Sequence, residues 1–121
     1  MYVAHGDPSL HGVEIYKGRP IFYSLGNFIF QPLVSLDAYG PLAYMSAIAR
    51  VEFRSGRVSA IHFVPIVLSM NDAGGAPRGV PYLAEGGEAR AILLGLADAS
   101  RQFGTEILIE GDSASVIVGN K

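Results

Sequence analysis

Between Tyr44 and Ile66 the chain alternates apolar and polar positions with the two-residue period of a β-strand. Met45, Ala47, Ala49, Val51 and Phe53 interleave with Tyr44, Ser46, Ile48, Arg50 and Glu52. After Ser55-Gly56, Val58, Ala60, His62, Val64 and Ile66 interleave with Ser59, Ile61, Phe63 and Pro65. The two runs and the turn signal between them predict a long antiparallel hairpin. Both faces become apolar near Ile61–Val67, which predicts burial on both sides there. This phase puts His62 on the inward-looking face.

A second period appears near the C-terminus. Ala89, Ile92, Leu93, Leu96, Ala99, Ser100 and Phe103 form one stripe at helical spacing. A helix is therefore expected over about 88–103, with Glu85 and Glu88 near its positive end and Arg101 near its negative end. Gly104 is placed to stop it. Ile107–Ile109 and Val116–Val118 predict a last hairpin about Gly111-Asp112. At the other end, Tyr2-Val3-Ala4 reads as a short buried strand. Val13–Tyr16 and Pro20–Ser24 read as a hairpin with Lys17-Gly18 at its tip. Gly26-Asn27 breaks the second of these strands, and Phe28–Phe30 is a candidate to resume it. Gln31–Leu42 and the Gly/Pro-rich stretch Asn71–Gly87 read as loops.

Composition narrows the picture. At 121 residues, half of them hydrophobic, the chain is one domain or a piece of one, with enough apolar residues for a core. A formal charge of −2 gives no reason to expect nucleic acid or an anionic membrane as partner. With no cysteine, disulfides and thiolate metal sites are excluded, while the compartment stays undisclosed. No apolar run approaches the roughly 18–20 residues of a membrane helix. Met1–His5 lacks the basic and apolar regions of a signal peptide.

Candidate chemistry gathers where strands give way to loops. His5 and Asp7 follow the first strand, and both residue types bind metal ions. Two readings of His5 stand side by side: a metal ligand, or a histidine that caps a strand by bonding a carbonyl. His11 lies in the same loop, either reaching a cleft or simply exposed. Ser24, Gly26 and Asn27 form a strand-to-loop break. Gly26 would let the backbone approach a neighbour closely. Asn27 offers both a donor and an acceptor, for orienting a substrate or for satisfying a turn. Ser24 has no base partner in sequence apart from His5 or His11. Glu14 reads as a support for a histidine or as a surface carboxylate. Lys17 and Arg19 read as contacts to an anionic substrate or as a solvated turn.

The order of these pieces carries a resemblance. His5-Gly6, Gly12-Val13-Glu14-Ile15-Tyr16, Gly18-Arg19-Pro20-Ile21 and above all Tyr23-Ser24-Leu25-Gly26-Asn27-Phe28 resemble the C-terminal half of CapA-like proteins. These are the poly-gamma-glutamate capsule-synthesis family, relatives of the metallophosphatases. Arg50-Val51-Glu52-Phe53, Val64-Pro65-Ile66 and Ser100-Arg101-Gln102-Phe103-Gly104-Thr105 extend the likeness over most of the chain. The resemblance implies an α/β sandwich of two sheets flanked by helices. This portion would be α+β, mostly antiparallel strands with one helix. It also implies a parent in which the N-terminal half supplies a Gly-Asp motif, an Asn-Asn-His motif and a further His. Residues 1–121 would then be the C-terminal part of that domain, with the other half as their natural partner.

The implied activity is hydrolysis of a phosphoester or related bond by water activated on a divalent metal (Mn, Fe, Zn or Mg), in capsule or other anionic-polymer synthesis. His5 would be a ligand and Asn27 a positioning residue. Pro8 stands where the family places its second histidine, and Ala4 where it often has glycine. Asp7 falls at the His-x-His spacing, offering oxygen in place of nitrogen. For this chain alone no metal is expected. Two rival readings are an anionic-polymer binding or scaffold protein with a degenerate metal site, and a piece with no independent role whose open sheet edge favours association.

Overall fold

The longest alternating stretch forms the longest hairpin. The computed structural model describes residues 1–30, 38, 40–69 and 78–119. Among them the strands are β1 (Tyr2–Val3), β2 (Val13–Tyr16), β3 (Arg19–Phe22), β4 (Met45–Arg54), β5 (Arg57–Leu68), β6 (Pro81–Leu83), β7 (Leu108–Glu110) and β8 (Ser113–Ile117). One α-helix, α1 (Gly86–Arg101), lies between β6 and β7, and a 3-10 turn spans Pro41–Tyr44. The first three strands make one sheet in the order β1-β3-β2. β1 runs parallel to β3, and β2 antiparallel to it. The second sheet runs β4-β5-β8-β7, with β6 paired to β5 beside β8; all its pairings are antiparallel. The fold is thus α+β, with two sheets, mostly antiparallel strands and one helix.

Both early hairpins turn through two residues of positive φ, Lys17 and Gly18 in one and Ser55 and Gly56 in the other. This turn type matches the right-handed twist of the flanking strands. β5 carries an extra residue. Glu52 pairs with Ala60 and Phe53 with Val58, which leaves Ser59 bulged out. The bulge reverses the phase of the strand. Val58 is buried before it, and Ile61, Phe63 and Pro65 are buried after it. His62 therefore lies on the outer face, where its ring meets Glu52 Oε1 at 3.0 Å. Strict alternation had placed it inward. The doubly apolar pattern predicts burial on both sides over Ile61–Val67; that holds from Pro65 to Leu68, while His62 is half-buried and Val64 exposed.

One core joins the sheets and the helix. Val13 and Phe22 of the first sheet meet Ala47, Ile61, Phe63, Ala114 and Val116 of the second, with Leu93 and Leu96 of α1. Phe22 and Phe63 touch edge to face, with centroids 6.3 Å apart. Gly12 lets α1 approach β2 closely: a Cβ there would lie 2.4 Å from the Ala99 carbonyl oxygen. Ser100, wholly buried, accepts the Val13 N–H at 3.0 Å and donates to the Leu96 carbonyl at 2.7 Å. At the helix start the Gly86 N–H donates to Asp112 Oδ1 at 3.0 Å, which satisfies one of the orphan donors of the first turn.

Several expectations are corrected. The helix lies two residues earlier than its apolar stripe suggests, because Gly86 and Gly87 form its first turn. Ala97 is buried in it, while Ala99 and Phe103 are only half-buried. β6 sits inside the stretch read as a loop, since backbone pairing to Ile66, Val67 and Leu68 overrides the local Pro and Gly content. Phe28–Phe30 does not resume a strand, and all three side chains are exposed. Tyr2 and Val3 are exposed too: β1 is an edge strand whose one neighbour is β3. Most of Gln31–Leu42 and all of the 70–77 stretch lie outside the described residues.

Candidate functional site

Because β1 and β3 are parallel, their C-terminal ends open on the same side of the sheet. The chain leaving β1 carries His5, Asp7 and His11. The chain leaving β3 carries Ser24, Gly26 and Asn27. Loops at the carboxyl ends of parallel strands are where open α/β sheets gather ligand groups. A ladder of backbone bonds ties the two loops together. The Ala4 N–H donates to Phe22 O at 3.0 Å, the His11 N–H donates to Ser24 O at 3.0 Å, and Leu10 bridges Leu25.

Within this frame His5 Nδ1 lies 3.2 Å from the Gly26 carbonyl oxygen. A carbonyl only accepts, so Nδ1 carries the proton. In the neutral ring the lone pair is then on Nε2, which bonds no described residue. Fixing one ring nitrogen on a carbonyl while the other stays open is how proteins orient a metal-binding imidazole. It is equally the carbonyl-capping geometry anticipated from sequence; the two readings share this one bond.

The Gly26 carbonyl is itself held firmly. Gly26 adopts φ +76°, and a Cβ there would lie 2.5 Å from Ser46 Oγ and 3.0 Å from the Met45 carbonyl oxygen. The Gly26 N–H donates to Ser24 Oγ at 3.2 Å, and that hydroxyl donates to the Asp7 carbonyl at 2.8 Å. Ser24, only 1% exposed, is spent on holding the two loops together and has no access to a substrate. Asn27 donates from Nδ2 to the Ala43 carbonyl at 3.0 Å, and its backbone carbonyl accepts the Ser46 hydroxyl. Its amide thus anchors the loop to the segment that enters β4.

Asp7 is exposed, and both its oxygens are engaged. Oδ1 accepts the Ser9 N–H at 2.8 Å, and Oδ2 faces His11 Nε2 at 3.3 Å. The Ser9 N–H first, and then the His11 ring, hold the carboxyl below the ordinary aspartate range, against an opposing effect of burial. On the neighbouring strand the Tyr23 hydroxyl donates to Glu14 Oε2 at 2.6 Å, which pushes the phenol's pKa up. Glu14 thus supports Tyr23, which stacks on Phe103 at 4.8 Å, and not a histidine.

His5, Asp7, His11, Ser24, Gly26 and Asn27 therefore share one loop cluster. Among the described residues, no three His, Cys, Asp or Glu side chains converge as a metal's donor set. The described residues do not by themselves complete a metal centre. Sequence reasoning missed Ser46, whose hydroxyl packs against Gly26. It also missed Ser9, whose contribution is a backbone N–H. No residue pattern announces either.

Fold and site together define a mixed α+β protein with a histidine-bearing loop cluster at the ends of two parallel strands. No family model matches the chain. Two proteins of Sinorhizobium fredii (strain NBRC 101917 / NGR234), the uncharacterized proteins y4sH and y4uA, are each 34% identical to it over 147 residues. The match covers 90% of this chain and 32% of each relative, so the chain spans about a third of the length of the curated relatives it matches. The matched stretch is longer than the chain itself, so those proteins carry additional residues within it. No described helix is long and apolar enough to cross a membrane.

Proposed function

We propose that this chain is the C-terminal part of a CapA-like protein of the metallophosphatase superfamily. The whole protein would be a divalent-metal-dependent hydrolase of a phosphoester or related bond, acting in capsule or other anionic-polymer synthesis. The observation that supports this most is His5: an imidazole at the carboxyl end of a strand, its Nδ1–H anchored on the Gly26 carbonyl and its Nε2 without a bond to any described residue. The Tyr23–Phe28 run that carries the family likeness is the same segment that supplies this anchor. The metal would polarise the bond under attack and activate a water. The role of this chain is narrower: it holds one nitrogen donor in a fixed orientation, and the other donors come from the rest of a longer protein. Asn27 positions the loop that presents the anchor. The test is hydrolysis of a chromogenic phosphodiester by the full-length protein with Mn²⁺, repeated with His5→Ala. The proposal expects the variant to lose most turnover, and unchanged turnover would end the role of His5.

A second reading has its own support. Asp7, the alternative oxygen donor, is committed to Ser9 and His11. That favours a binding or scaffold protein for an anionic polymer, with a degenerate metal site. Retention of polyglutamate by the full-length protein, unaffected by chelator, together with no phosphodiester turnover, would select this reading.

A further inference from the structure

At the opposite end of β3 from His5, the tips of two hairpins form a furrow. Lys17 and Arg19 from the β2–β3 hairpin line a depression of about 360 Å³ together with Phe53, Arg57 and Val118. Arg57 and Val118 also line an adjoining depression of about 440 Å³, joined there by Arg54. Among the described residues no Asp or Glu lines either one; Glu106 lines a third depression that also touches Lys17. None of the four cations pairs with a carboxylate among the described residues. Arg50 and Arg101, by contrast, each have an acidic partner. Lys17 Nζ lies over the Tyr16 ring instead, 5.2 Å from its centroid.

A second observation comes from the strand register. Arg54 and Arg57 are direct cross-strand partners in the β4–β5 ladder. Like charges placed opposite one another destabilise a hairpin, and here no described acid offsets them. A chain with a net charge of −2 thus gathers four unneutralised cations at one end. A bound anion would relieve that repulsion.

We propose that this furrow is a binding site for a multivalent oxyanion, one carrying two or more carboxylate or phosphate groups. Arg19, Arg54 and Arg57 present planar guanidinium forks suited to bidentate oxyanion contacts, and Lys17 adds a point charge. The combined space suits a small polyanion or a few units of a longer one. The site is separate from the His5 cluster and stands whether or not His5 binds a metal.

The test is calorimetric titration of the metal-stripped full-length protein with tripolyphosphate and, in a parallel arm, with citrate. At least one should bind saturably and weaken as salt rises. Whichever binds more tightly identifies phosphate or carboxylate as the natural source. The double variant R19Q/R57Q should lose about tenfold or more in affinity. R54Q alone should lose several-fold, and it serves as an independent variant should the double one unfold. R90Q, on the exposed side of α1, should bind as the native protein does, and so should His5→Ala. Absence of saturable binding by both probes, insensitivity to salt, or native affinity in R19Q/R57Q or in R54Q would overturn the proposal.

Discussion

Replacing Gly26 by alanine tests the joint between the fold and the His5 cluster. Two separate costs arise. Gly26 sits at φ +76°, where a Cβ is disfavoured by about 1–2 kcal/mol. That Cβ would also lie 2.5 Å from Ser46 Oγ and 3.0 Å from the Met45 carbonyl oxygen, and only the hydroxyl can turn away. Crowding of this kind adds about 1–3 kcal/mol. The sum is about 2–5 kcal/mol, a large part of the roughly 5–15 kcal/mol that holds a typical domain together. Gly18 and Gly104 provide the controls. They adopt φ +71° and +70°, and a Cβ at either meets nothing within 4 Å. Alanine there should cost only the conformational part, about 1–2 kcal/mol. Urea unfolding of the three variants separates the contributions, since the midpoint shift at constant slope reports stability alone. Because the Gly26 carbonyl carries His5, G26A should also release the imidazole from its single tautomer, visible in nitrogen-edited NMR. A G26A midpoint no lower than those of G18A and G104A would refute the close approach to β4.

Other perturbations follow from the same geometry. Ser100→Ala strands the buried Val13 N–H, now 3.0 Å from the hydroxyl, and should cost about 1–3 kcal/mol in denaturant unfolding. Leu93→Ala, at a fully buried core position between the helix and both sheets, should cost about 2–5 kcal/mol in the same assay. The Asp7 carboxyl should titrate below the usual aspartate range when followed by carbon NMR. His11→Ala should raise that midpoint only partly, because the Ser9 N–H is the larger cause. Since the folded-state value is depressed, the stability it contributes is present above the unfolded-state pKa and is lost as pH falls through the folded one. An Asp7 midpoint at or above that of an unfolded peptide would contradict the Ser9 contact.

Periodicity made the two long strands, the helix and the two end hairpins legible, because each buries one face and writes that face into every second or every third to fourth residue. It failed where pairing, not patterning, decides. β6 is three residues whose strand character comes from the edge of β5. The Ser59 bulge inverts the phase of β5, and no residue type marks it, so simple alternation puts His62 on the wrong face. The candidate site was legible as two loop segments, His5–His11 and Ser24–Asn27. Their meeting depends on the parallel pairing of β1 with β3, which a four-residue apolar start does not announce. The cations at Arg54 and Arg57 flank an ordinary Ser-Gly turn, and only the proximity of the other hairpin tip joins them to Lys17 and Arg19.

The most direct measurement is a long-range ¹H–¹⁵N spectrum of the His5 ring in the full-length protein, titrated with Zn²⁺ as a diamagnetic divalent probe. A ring anchored on Gly26 with an open donor predicts the Nδ1–H form before addition and a large change at Nε2 once the metal binds. An Nε2–H tautomer, or a ring whose nitrogens ignore the metal while it binds elsewhere in the protein, would contradict a ligating role for His5.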